Sequence, residues 1–259
     1  MSFRESNAQV PLGACMPRAA PFASLTFSLP KQRVAFAAPF ASITAHHQLH
    51  HKFGDAQQEP ATGIEYPAEC CVLTKKICPQ LAGVGVRAKR ILGLKNINVY
   101  SVGMYVDAHG AKKALHKYKG EDVDELMGNQ KLFDELVGDT HFERSLRLVI
   151  SFGSLKRSQF LNALEERLKP ELAKAKEAES TMKAFEGLFD GVNFRRGTEI
   201  AFSTHHKGQL VTQIDGKQVG SIQSPALVKA LFDIYVGPDP VSADAKKSIG
   251  KGLVALMNE

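Results

Sequence analysis

From Ile97 to Val106 the chain reads Ile-Asn-Val-Tyr-Ser-Val-Gly-Met-Tyr-Val, and this run limits the fold more than any other stretch. Ile97, Val99, Ser101, Gly103 and Tyr105 share one parity; Asn98, Tyr100, Val102, Met104 and Val106 share the other. Strand side chains alternate between two faces, and Ile, Val and Tyr favour that state. Both parities hold apolar residues, so the run predicts a strand covered on two sides instead of a wet edge. Just upstream, Gly83 and Gly85 precede the cationic group Arg87, Lys89 and Arg90. Gly93 separates the two runs, which predicts strands over roughly 83–91 and 97–106 joined by a turn near 93–96.

Arg87 and Tyr100 are thereby candidates for adjacent strands, where cross-strand neighbours can share one ligand. A guanidinium keeps its charge and offers five donors, so Arg87 requires an anion: a ligand carboxylate, or an internal Asp or Glu. The phenol of Tyr100, among apolar neighbours, requires a polar partner from a ligand or from the backbone. Lys89 and Arg90 are read as solvent-facing or anion-steering, and Gly103 and Tyr105 as structural.

The remaining segments predict an order of strands, helices, strands and helices. Thr62 to Pro67 reads as an extended strand ended by proline, with a short strand at Val72 and Leu73. Ala111 to Lys117 and the acidic stretch from Asp122 to Leu136 read as short helices, and Phe142 to Ser151 as a strand. Ser158 to Lys176 is helical by period and content, with a kink or boundary expected near 169 because Pro170 cannot donate within a helix. A helix over Glu177 to Asp190 precedes strands at Glu199 to Thr204, Leu210 to Ile214 and Lys217 to Ile222; Asp215-Gly216 marks a hairpin. Helices over Pro225 to Val236 and Ser242 to Met257 close the chain, the second capped by Ser242. This order describes an α+β domain with a mostly antiparallel sheet.

Residues 1–50 differ from the rest. Glu5 is their one acidic residue against Arg4, Arg18, Lys31 and Arg33, and Ala, Ser, Phe and Pro dominate. An acid-poor, Ser- and Arg-bearing leader is expected for organelle import, and its prolines disfavour the continuous amphipathic helix of a mitochondrial address. Residues 51–61 read as a linker and 62–259 as the folded domain. His46, His47, His50 and His51 read as a solvated tract, and no metal or cofactor is expected. The net charge of +6 is weak support for nucleic-acid binding, because both signs are interspersed from Pro60 onward. No stretch has the roughly 18 consecutive apolar residues of a membrane span. Cys15, Cys70, Cys71 and Cys78 form no repeating framework, and free thiols in a reducing compartment are expected.

The pattern Gly-x-Gly-x-Arg, a dozen residues, then Tyr-x-x-Gly-x-Tyr-x-Asp from Gly83 to Asp107 resembles the chalcone-isomerase fold, and within it the plastid fatty-acid-binding branch of plants and algae. Weaker support comes from Val192-Asn193-Phe194 followed by Arg-Gly and from the Val236–Ser242 region. The resemblance implies an open-faced β-sandwich in which an antiparallel sheet carries a layer of helices. It places Arg87 where the family has its arginine and Tyr100 where that branch has a tyrosine in place of the isomerase threonine. By resemblance, the pair holds the carboxylate of a free fatty acid of about 12 to 18 carbons, each buried methylene contributing about 0.8 kcal/mol. Phe152, Phe160, Leu164, Phe185 and Phe189 are candidates for the acyl lining. The implied role is non-catalytic binding in the chloroplast stroma that supports fatty-acid metabolism or export. The isomerase places for a tyrosine and an asparagine fall on Lys156 and Ala163, and the late Thr-Met or Ser-Met pair falls near Ile234 and Tyr235. Losing those groups disfavours cyclisation of a chalcone. A divergent chalcone-flavanone isomerase and a non-catalytic helper of the flavonoid pathway remain the alternatives.

Overall fold

The structure, a computed structural model, describes residues 53–73, 76, 78–90, 96–139, 141–205 and 207–259. The leader and the four histidines beside it lie outside the described residues. Six strands form one antiparallel sheet in chain order: β3 (Gln80–Arg90), β4 (Asn96–Val106), β5 (Arg144–Ile150), β6 (Glu199–His205), β7 (Gln209–Ile214) and β8 (Lys217–Gln223). A separate hairpin pairs β1 (Gln57–Glu59) with β2 (Ile64–Tyr66), so regular structure begins within the stretch read as linker. Between β4 and β5 lie α1 (Ala108–Ala114), a 3-10 turn (His116–Tyr118), α2 (Val123–Gly128) and α3 (Gln130–Gly138). Between β5 and β6 lie α4 (Arg157–Lys174) and α5 (Ala178–Gly187), and α6 (Pro225–Val236) and α7 (Ala243–Asn258) follow β8.

The strand that limits the fold is covered on both faces. Tyr100, Val102, Met104 and Val106 enter the large core beneath the helices, with Phe160 and Leu164 of α4, Tyr235 of α6 and Leu253 of α7. Tyr105 joins a smaller core on the other face with Tyr66, Cys70, Val72, Leu81, Val84, Val149 and Ala201. Ser101, whose polarity would be costly there, meets the Tyr66 hydroxyl at 2.6 Å. Gly83 and Gly85 let α7 lie directly on β3: a Cβ at Gly85 would fall 2.3 Å from the Ala245 Cβ, and one at Gly83 would fall 2.6 Å from the Ile249 nitrogen. The helix itself starts where Ser242 accepts the Ala245 amide, as the capping residue predicts.

Three local expectations are corrected. Val72 and Leu73 form no strand, because side chains take the place of a ladder: the Val72 carbonyl accepts from Gln213 Nε2, and the Leu73 amide bonds the Glu143 carboxylate. Of the kink or boundary expected at Pro170, the boundary is absent, since α4 continues to Lys174 with Pro170 inside it. Leu168 and Leu172, both fully buried, hold the segment on the core across the missing donor. The described cysteines are not free thiols, since Cys71 and Cys78 form a disulfide and none of the three is free.

Candidate functional site

β3 and β4 place Arg87 and Tyr100 directly opposite one another in the antiparallel register. Immediately beyond that pair the register shifts, so that Ala88 faces Asn98 and Val99 is left over as a bulge. The freed Val99 carbonyl accepts the amides of both Ser151 and Phe152, each at 3.1 Å, and so seats Phe152 at the end of β5. Arg87 Nη1 donates to Tyr100 Oη at 3.3 Å, and its guanidinium carbon lies 5.7 Å from the ring centroid. Tyr100 is fully buried, while Arg87 is half-buried.

These residues border a cavity of about 540 Å³ between the sheet and α4. Ile97, Val99, Phe152, Leu155, Phe160 and Ala163 supply apolar wall. Lys89 and Arg90 from β3 and Gln159, Asn162 and Glu166 from α4 are exposed and rim it. A cavity with an apolar wall and a charged, polar rim suits an amphiphile. Burial works against the charge on Arg87, but the phenolic oxygens of Tyr100 and Tyr235 and the Glu166 carboxylate outweigh it and raise the guanidinium pKa further. Arg87 is therefore cationic throughout the accessible pH range. Among the described residues, no carboxylate lies within ion-pair distance of it.

Of the residues named from the sequence, Arg87, Tyr100, Phe152 and Phe160 meet at this cavity. Leu164, Phe185 and Phe189 do not border it; all three are fully buried in the core. Phe189 touches Phe160 edge-on at 5.8 Å, and Phe185 contacts both Phe189 and Phe202. They back the wall that Phe160 presents. Helical spacing selects a buried face, and it does not separate the layer that touches a cavity from the layer behind it. The sequence assigns no site role to Ile97, Val99 or Leu155, and points to Tyr235 only as lying near the place of the isomerases' late pair. Strict alternation sets Val99 and Tyr100 on opposite faces, and only the bulge, which no residue type announces, brings both to the cavity. Tyr235, on α6, carries its hydroxyl to within 2.9 Å of Tyr100 Oη. Among the described residues, no group of three His, Cys, Asp or Glu could hold a metal ion.

Residues 79–250 match the family described as chalcone isomerase like. The chain belongs to the chalcone-isomerase-like family. Fatty-acid-binding protein 1 of Arabidopsis thaliana is 32% identical over 193 residues, covering 73% of this chain and 67% of that protein. Fatty-acid-binding protein 2 of the same plant is 30% identical over 208 residues, 77% of this chain and about half (51%) of its relative. The chalcone–flavanone isomerase of Phaseolus vulgaris matches more distantly, at 24% over 69% of this chain and 84% of the enzyme. The crystal structure of an Arabidopsis thaliana fatty-acid binding protein superimposes with a TM-score of 0.68 at 30% identity, over 78% of this chain and 98% of that one. The α+β architecture, an antiparallel sheet carrying helices, is thus that of the family.

Proposed function

We propose that this protein binds a free long-chain fatty acid without turning it over, with the carboxylate on Arg87 and Tyr100 and the chain along Ile97, Val99, Phe152, Leu155 and Phe160. The observation that carries this reading is a half-buried guanidinium, joined to a phenol at a cavity with an apolar wall, with no described carboxylate within ion-pair distance of it. Two fatty-acid-binding relatives and a fatty-acid-binding structural neighbour support the same ligand class. Against catalysis, the place of the isomerase asparagine holds Ala163, which offers the cavity a methyl group, and the place of its tyrosine holds Lys156, an exposed residue at the start of α4.

Delipidated protein titrated with laurate, palmitate and oleate is expected to bind at least one of them, and Arg87→Ala is expected to weaken that binding by about tenfold or more, since a charge-assisted bond is lost. Unchanged affinity in the variant removes the site assignment. Flavanone formed from chalcone above the uncatalysed rate would favour the isomerase alternative instead. The acid-poor leader supports residence in the plastid stroma, which a fluorescent fusion of residues 1–60 in leaf cells would test.

A further inference from the structure

Tyr235 lies on α6, outside the pair that the fatty-acid reading uses. It is fully buried, its ring meets that of Tyr100 edge-on at 6.5 Å, and its hydroxyl stands 2.9 Å from Tyr100 Oη. Among the described residues, Tyr100 is the only hydrogen-bond partner of that hydroxyl. The proton positions follow from donor and acceptor capacity. Arg87 can only donate, so Tyr100 Oη accepts from it. Were Tyr100 to donate to Tyr235, the proton of Tyr235 would be buried with no acceptor, an arrangement folded proteins avoid. If Tyr235 donates instead, Tyr100 Oη uses both lone pairs, one for Arg87 and one for Tyr235, and the proton left over is that of Tyr100, the one of the two tyrosines that borders the cavity and so the one a ligand there can satisfy.

We propose that Tyr235 is a positioning residue that turns the Tyr100 hydroxyl into a dedicated donor toward the cavity, so that the site selects a head group able only to accept, the carboxylate of a free acid over the alcohol or the ester of the same chain. The inference rests on the fatty-acid reading above. Two accepted bonds polarise the Tyr100 hydroxyl and strengthen the bond it donates. A carboxylate takes the donors of Arg87 and Tyr100 together and cancels the charge on the arginine. An alcohol brings a proton for which neither Arg87 nor Tyr100 offers an acceptor, the acceptors of Gln159, Asn162 and Glu166 standing at the exposed rim, and neither alcohol nor ester brings the charge that Arg87 pairs with. Burial, reinforced by Tyr100, raises the Tyr235 phenol well above its ordinary range and keeps it protonated as the scheme requires.

The test is a titration of delipidated wild type, Tyr235→Phe, Tyr100→Phe and the double variant with palmitate carrying 13C at its carboxyl carbon. Affinity and the pH at which the bound carboxyl titrates are both read. Tyr235→Phe is expected to bind palmitate about three- to tenfold more weakly and to raise the bound carboxyl's titration point, because the donor facing it is weaker. In the Tyr100→Phe background the same substitution should change neither readout. Palmitol and methyl palmitate, titrated in parallel, should lose less than the acid on Tyr235→Phe. Equal or tighter palmitate binding by Tyr235→Phe overturns the inference, since tighter binding is what release of a proton held by Tyr235 would give. Equal losses with and without Tyr100 overturn it too, because a merely structural role predicts them. Should Tyr235→Phe not fold, site-specific fluorotyrosine at 235 keeps the hydroxyl and makes it a stronger donor. It should lower the bound carboxyl's titration point, and no movement overturns the proposal. If none of the four proteins binds palmitate, the fatty-acid reading falls and the inference with it; binding with the wrong sign removes the inference alone.

Discussion

Two arginines of this sheet meet the cost of burial in opposite ways. Arg147, on β5, forms an ion pair with Glu199 of β6 at 2.6 Å, lies over the Tyr66 ring and donates to the Glu65 carbonyl. Its charge is met within the chain, although its Nε has no hydrogen-bond partner among the described residues. Arg87 has a phenol and a cavity instead. Arg87→Lys keeps a cation there but loses the planar fork that matches two carboxylate oxygens, so palmitate affinity should drop by about tenfold while the melting temperature moves little. Equal affinity of the lysine variant would mean that the ligand feels only a point charge. A third buried ion makes stability depend on pH. Burial pushes the Glu143 carboxyl up to about 7, Asp107 adds to the shift, and the Leu73 amide only partly opposes it. Its Oε1 has no hydrogen-bond partner among the described residues. The folded state therefore holds this proton more tightly than the unfolded chain, and the linkage sign is negative. The contribution is full below pH 4.5, the ordinary value, falls as pH rises toward about 7 and is level above that. Glu143→Gln should remove this slope and stabilise the protein at pH 8 by about 2 to 3 kcal/mol, read from urea denaturation at pH 5 and pH 8.

At the scale of elements, β3 and β4 were legible because their residue types act locally. Alternation marks the strands, and glycine marks the place where another backbone must come close. Gly85 tests that reasoning: valine there would drive a side chain into Ala245 of α7, whose Cα lies 2.6 Å from the position of a Cβ. Gly85→Val should destabilise by about 3 kcal/mol or more and carry palmitate binding down with it, as α7 lifts from the sheet; a change in melting temperature of only a degree or two would contradict the packing described. The Arg87–Tyr100 pairing was legible as well, since two strands joined by a short turn must be antiparallel neighbours. What stayed hidden depends on atoms far away in the chain. The Val99 bulge is held by amides of Ser151 and Phe152, and Tyr235 reaches Tyr100 across 135 positions. Pro170 sets no helix boundary for a related reason: local propensity favours an end there, and burial of Leu168 and Leu172 by distant elements overrides it.

The molecule as a whole divides its labour between the two sides of one sheet. The helix side holds the cavity, and the other side carries the β1–β2 hairpin and the segment closed by the Cys71–Cys78 disulfide. Cross-links act on stability through the ensemble they restrict, so replacing both cysteines by serine should cost about 2 kcal/mol. Because Arg87, Tyr100 and the apolar wall draw nothing from that segment, palmitate affinity should be unchanged, and a joint loss of stability and binding would show the two sides to be coupled. Ligand binding feeds stability from the opposite side. A ligand that binds only the folded chain adds RT ln(1 + [L]/Kd), about 2.7 kcal/mol at a hundredfold excess over Kd, so fatty acid should raise the melting temperature of the wild type and not of Arg87→Ala. The size of that rise measures the cavity. Each added methylene that finds apolar wall contributes about 0.8 kcal/mol, roughly a fourfold gain in affinity, until the chain outgrows the space that Ile97, Val99, Phe152, Leu155 and Phe160 enclose. A series of saturated acids should therefore show a rising stabilisation that stops at one chain length. Phe160→Ala, which opens the wall toward Phe189, should move that stop to a longer acid, and a limit that stays where it was would place the end of the acyl chain elsewhere.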